Sequence, residues 1–250
     1  MLDDPFFYLV SVPAVLIYGV AKGGFGGAVA MVAVPIMALV MPPTQAAAIL
    51  LPILVVMDVV VVKTYWGMVD GRAIRLLIAP AMLGILVGYL FAEAMNEHYM
   101  RLLVGGLSLA FGAQHLLGLS GRASNEHHVA SAAAYGSLAG FTSFSIHAGG
   151  PPLTMYLMPK RLSPLLFAGT SGIFFAVVNA VKLVPYYFLG QFSSENLVYS
   201  LILVPLAPLG VKLGHYLVLR SEPGFYYRVI SFFLVAVGMK LLYDGTMGIA

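Results

Sequence analysis

Cysteine is absent from the chain. That excludes disulfides, thiolate metal sites and cysteine nucleophiles. Charge is nearly as scarce: Asp, Glu, Lys and Arg make up 9% of the 250 residues, against about 25% in a soluble domain. A chain that is 60% hydrophobic cannot present a solvated surface, so the composition defines an integral membrane protein. No gap between apolar stretches is long enough for a second, soluble domain. The expectation is one membrane domain over 1–250. The start, Met1-Leu2-Asp3-Asp4, is acidic and lacks the basic region of a signal peptide, so the first apolar segment is expected to be retained. The net charge of +3 is small and points to no nucleic-acid partner. Catalytic signatures are lacking too. No His pair sits at i, i+4 within an apolar segment, no glycine-rich loop ends in Gly-Lys-Ser/Thr, and no Ser-His-Asp set follows from spacing. No cofactor or metal is implied, and the chain is not expected to be an enzyme.

What the chain does contain is helix-length apolar sequence with two interruptions. Apolar segments run 6–21, 25–41, 44–62, 73–92, 100–119, 129–146, 148–158, 165–189, 197–219 and 225–243. Most have the roughly 20 residues a spanning helix needs. The segment 148–158 reaches only about half of a ~30 Å hydrocarbon core. It follows Ser145-Ile146-His147-Ala148-Gly149-Gly150-Pro151-Pro152, where paired glycines and prolines cannot continue a helix. Lys22-Gly23-Gly24-Phe25-Gly26-Gly27 is the matching break in the first half. Broken backbone at membrane depth survives only where protein or a water-filled cavity satisfies it. Two breaks in corresponding positions point to the binding site of a transporter.

The two halves resemble each other. Tyr18-Gly19 matches Tyr135-Gly136, and the stretch starting at Pro43 matches the one starting at Pro164. Gly84-xxx-Gly88 matches Gly210-xxx-Gly214, and Tyr99-Met100-Arg101 matches Tyr226-Tyr227-Arg228. The order is kept. The expected fold is therefore all-α and polytopic, with repeat 1 over 5–119, a linker over 120–128 and repeat 2 over 129–245. Each repeat would hold a broken or re-entrant hairpin plus three transmembrane helices, with the two repeats inverted. Inversion puts Lys63, Arg72, Arg75, Arg122, Lys160, Arg161, Arg220 and Arg228 on one side and leaves only Arg101 on the other. Eight plain spans would spread these charges with almost no bias. By the positive-inside rule the inverted arrangement is favoured, with both termini outside. The Gly-xxx-Gly motifs are read as close helix packing.

Ionisable groups inside spans are expensive and default to function. Asp58 lies in the third segment, and Asn179 holds the matching position in the second half. Lys182 shares a helix face with Asn179, one turn on. It either binds an anion or snorkels to the interface. His147 abuts the second break and either donates to a ligand or caps freed carbonyls. Lys22 is an anchor or a charge at the first tip. Thr170 and Ser171 could face the tips, although hydroxyls on membrane helices commonly bond their own carbonyls. The substrate-binding candidates are Lys22, Gly23, Gly24, Phe25, Gly26, Gly27, His147, Ala148, Gly149, Gly150, Thr170, Ser171, Asn179 and Lys182. Asp58 and His147 are candidates for ion coupling.

Gly23-Gly24-Phe25-Gly26-Gly27, Val34-Pro35 and Pro42-Pro43-Thr44-Gln45-Ala46 resemble the first repeat of the sulfite exporter TauE/SafE family. Gly140-Phe141-Thr142-Ser143-Phe144, His147-Ala148-Gly149-Gly150-Pro151-Pro152 and Gly169-Thr170 are similar to its second repeat. Ala28 departs from the pattern, where a further glycine is common. The resemblance implies a multi-pass permease of the bacterial inner membrane, carrying small sulfur-containing anions such as sulfite or organosulfonates by alternating access. An anion channel and a membrane-embedded enzyme are the alternatives. The implied partners are a small anion, the lipid bilayer and, as an open alternative, further copies of the chain.

Overall fold

The computed structural model describes residues 5–26, 30, 33–37, 39–92, 97–118 and 127–247. Apolar side chains favour burial, and a bilayer offers backbone groups no water, so the chain satisfies them internally as helices. In order these are α1 (Pro5–Gly24), α2 (Ala33–Met37), α3 (Pro43–Thr64), α4 (Gly71–Leu90), α5 (Glu97–Leu116) and α6 (Val129–Ile146). Then follow α7 (Gly150–Leu157), α8 (Pro164–Phe188), α9 (Ser194–Leu203), α10 (Leu206–Leu219) and α11 (Pro223–Met247).

Local chemistry sets several ends. Asp70 caps α4 by accepting from the N–H groups of Arg72 (3.1 Å) and Ala73 (3.0 Å). Proline opens α3 and α8, where its missing N–H has no intrahelical role. Helix α6 stops at His147, which adopts the left-handed conformation (φ 52°), and the N–H of Ala148 closes the end on Thr142 O at 3.0 Å.

Among the described residues, five helices are long and apolar enough to cross a membrane: α1, α3, α4, α8 and α11. Helices α9 and α10 together make a sixth, bent by 45°. The single span expected over 197–219 is thus two helices. Pro205 sits at the bend, where it lacks an N–H and its ring crowds the carbonyl one turn back. Helices α5 and α6 have the length but a lower mean hydropathy. Across the expected hairpin segment 25–41, the described helix is the short α2.

Glycine contacts define how the helices run past one another. A Cβ on Gly19 would lie 2.8 Å from Gly210 Cα, and one on Gly24 would lie 2.6 Å from Gly214 O, so α1 and α10 run parallel. Gly136 meets Leu77, Gly140 meets Ala81 and Gly88 meets Phe144, so α4 and α6 are parallel too. Gly105 faces Gly238 while Gly112 faces Ser231, which makes α5 and α11 antiparallel. Gly169 meets Met68 and Gly172 meets Val61, which makes α3 and α8 antiparallel. Both Gly-xxx-Gly motifs lie in these seams, where the missing side chains let backbones touch. One apolar core joins α1, α2 and α3 to α9 and α10; the other joins α6, α7 and α8 to α4 and α11.

Candidate functional site

The ionisable groups of the spans converge. Lys22, on the last turn of α1, places Nζ 2.7 Å from Asp58 Oδ1 on α3. Asn179 Nδ2 on α8 donates to Asp58 Oδ2 at 2.8 Å. One turn further along α8, Lys182 Nζ donates to Ser143 O (2.6 Å), reaches Ser143 Oγ (3.4 Å) and lies 3.1 Å from His147 Nδ1. Tyr186, a further turn on, puts its hydroxyl 3.2 Å from His147 Nε2 and 3.2 Å from Phe144 O. The face of α8 bearing Asn179, Lys182 and Tyr186 therefore ties the end of α1 to the end of α6, the two places where the chain breaks.

These groups are withdrawn from solvent: Lys22 is 3% exposed, Asp58 5%, Asn179 2%, His147 4% and Lys182 0%. Full burial removes the snorkelling reading of Lys182. Two lysines and one aspartate are buried here, so with all three ionised and His147 neutral the formal balance is one positive charge in excess. Lys182 is held by a carbonyl, a hydroxyl and a ring nitrogen and, among the described residues, by no carboxylate. Charge in such a place is costly until a counter-charge reaches it. The arrangement suits a small anion. Among the described residues no group of three or more His, Asp and Glu side chains is placed to hold a metal ion.

The remaining candidates make other contacts. Gly23 presses its Cα on α10, where a Cβ would lie 2.2 Å from Val211 O. Gly24 does the same against Gly214. Their carbonyls, left free at the helix end, accept from Tyr65 (2.5 Å) and Tyr226 (2.6 Å). Phe25 stacks on Tyr226 with centroids 5.7 Å apart. Gly26 is left-handed (φ +66°) and faces Phe167 and Ser171, whose buried Oγ has no hydrogen-bond partner among the described residues. Gly27 lies outside the described residues. Ala148 is engaged with Thr142 through both its N–H and its carbonyl. Gly149 packs on Ala139, Ser143 and Phe175, all in its own half. Gly150 opens α7. Thr170 bonds Leu166 O (2.6 Å) and accepts from Asp70 N (2.9 Å), which puts it at the α3–α4 turn. A groove of about 1110 Å³ between α3, α4 and α8 is lined by apolar groups such as Ile85, Val177 and Val184, and offers an anion nothing.

Two partners escape the sequence reading. Ser143 lies inside the Gly140-Phe141-Thr142-Ser143-Phe144 motif, but its carbonyl as a lysine acceptor carries no sequence signal. Tyr186 had one: it stands four residues after Lys182 and so shares its face.

Multiple spanning helices, with buried lysine and aspartate side chains where two segments are interrupted, define a polytopic α-helical membrane protein. The chain belongs to the sulfite exporter TauE/SafE family, whose model matches residues 11–241. Its members are transporters and not enzymes, so this is a membrane transporter of that family. No curated protein and no solved structure matches the chain.

Proposed function

We propose that the chain is a secondary transporter for small sulfur-containing anions, sulfite or organosulfonates, in the bacterial inner membrane. The observation that carries this reading is the burial of two basic side chains, Lys22 and Lys182, with a single acidic one, Asp58. An oxyanion supplies the missing negative charge, with Asn179 and Ser143 at hand for hydrogen bonds. Alternating access is favoured over an open channel because Lys182 is 0% exposed, whereas a conducting pore would keep its charged group in water. Asp58 and His147 are the groups we assign to ion coupling.

Two inverted repeats, 5–119 and 129–245, would supply the moving parts. The support is directional. Helices α3 and α8 hold matching places in the two halves and run antiparallel, as do α5 and α11. The crossed pairs, α1 with α10 and α4 with α6, are both parallel, as an in-plane two-fold axis requires. With the basic loops inside, both termini face outward.

The test is transport of radiolabelled sulfite and a panel of other oxyanions by purified protein in liposomes. Saturable counterflow is the expected result, since a carrier shows it and a pore does not. Lys182→Met should lose affinity while remaining folded. Wild-type affinity in that variant would reject the site.

A further inference from the structure

The hydrogen bonds around His147 settle where its proton sits. Phe144 O can only accept, so the Tyr186 hydroxyl, 3.2 Å away, donates to it. The hydroxyl oxygen is then left to accept, and its other neighbour is His147 Nε2 at 3.2 Å. That nitrogen therefore carries the hydrogen. In a neutral ring the opposite nitrogen is bare, and Nδ1 faces Lys182 Nζ at 3.1 Å. An ammonium is a donor only, so this is the tautomer it needs. Tyr186 thus acts on Lys182 through His147, while its ring lies 5.7 Å from the same ammonium.

We propose that Tyr186 is a positioning residue of the anion site: its hydroxyl fixes the tautomer of His147 and so keeps an acceptor turned toward Lys182. This rests on the reading that Lys182 holds the transported anion. Without the hydroxyl, Nε2 loses that acceptor, and the tautomer is held only by Lys182 at Nδ1 and by the neighbouring Ala47 backbone. Wherever the hydrogen moves to Nδ1, the Lys182 ammonium faces an N–H and gives up one of its three acceptors. Tyr186 itself is buried in an aromatic setting, against Phe144 at 5.6 Å and Phe192 at 6.2 Å. Tyr186→Phe keeps that packing and deletes only the hydroxyl.

A double-mutant cycle separates positioning from structure. His147→Asn puts a carbonyl oxygen, which has no tautomers, near the place of Nδ1, and asparagine tolerates the left-handed backbone found there (φ 52°). The probe is radiolabelled sulfite with protein in liposomes. Tyr186→Phe should raise KM on the order of tenfold with little change in maximal rate, as expected for loss of one charge-assisted hydrogen bond. In the His147→Asn background the same change should leave KM where it was. An equal rise in both backgrounds would make Tyr186 a structural residue only and overturn the proposal, as would no rise in either. Nitrogen NMR of histidine-labelled protein gives a second arm, which needs no transport: in Tyr186→Phe part of the His147 population should pass from Nε2–H to Nδ1–H, and an unchanged tautomer ratio would overturn the proposal. Wild-type KM in Lys182→Met is a different failure, that of the anion-site reading itself.

Discussion

Breaking the Lys22–Asp58 pair from either side should cost similar stability yet move anion binding in opposite directions. The two side chains are 3% and 7% exposed with Nζ and Oδ1 2.7 Å apart, so neither charge can fall back on water. Removing one partner of such a pair costs about 3–5 kcal/mol, because the survivor stays buried and unpaired. Both Lys22→Met and Asp58→Asn should therefore lower the melting temperature by about ten degrees without ligand. The geometry favours clean substitutions. In Asp58→Asn the new amide oxygen would still accept from Asn179, and in Lys22→Met the thioether chain fills most of the lysine volume. Their effects on the cluster differ. Lys22→Met brings the formal charge from one positive to zero, whereas Asp58→Asn raises it to two. Sulfite should stabilise Asp58→Asn more than wild type and Lys22→Met less. A ligand at a hundred times Kd stabilises by about 2.7 kcal/mol, so the difference is within reach of a thermal assay in detergent. The double variant replaces a buried ion pair by neutral groups and should recover most of the loss. Additive costs in the double variant, or the same sulfite response from both single variants, would refute the account of the cluster.

Other expectations are more local. Gly23→Ala should abolish folding and binding together, since its Cβ would sit 2.2 Å from Val211 O, while Gly71→Ala, with no described atom within 4 Å of the added carbon, should accumulate normally; expression and size-exclusion profiles decide. A cysteine at Ser221 in this cysteine-free chain should resist an impermeant reagent added to intact cells and one at Ser194 should react; labelling at Ser221 would overturn the orientation. His127 bridges Asp70 (3.2 Å) and Tyr156 (3.1 Å), and burial, then the charge of Lys160, holds its pKa below the ordinary 6.5 although Asp70 pulls the other way. Because the folded value lies below the unfolded one, the stabilisation is complete above about pH 6.5 and is lost as pH falls through the folded value. His127→Gln should therefore flatten the decline in melting temperature on acidification, and an unchanged decline would exclude His127 as its source.

The membrane class, the two chain breaks and the packing role of the Gly-xxx-Gly motifs were legible in the sequence. Each is a property of residues within a few positions of one another: a shortage of charge, glycine and proline that cannot continue a helix, small residues one turn apart. Asp58 and Asn179 stood out in the sequence as matching positions of two similar stretches, but their pairing did not. What those places mean physically, a hydrogen bond of 2.8 Å, was decided by α3 and α8 lying side by side. Tertiary structure alone brought Lys22 to Asp58, gave Lys182 a carbonyl and a ring nitrogen in place of a carboxylate, and turned Gly23 and Gly24 toward α10. It also moved Thr170 away to the α3–α4 turn and bent the span at Pro205. The direction in which a side chain points around its helix axis is fixed by what the helix packs against. That depends on residues far away along the chain, and no local pattern carries it.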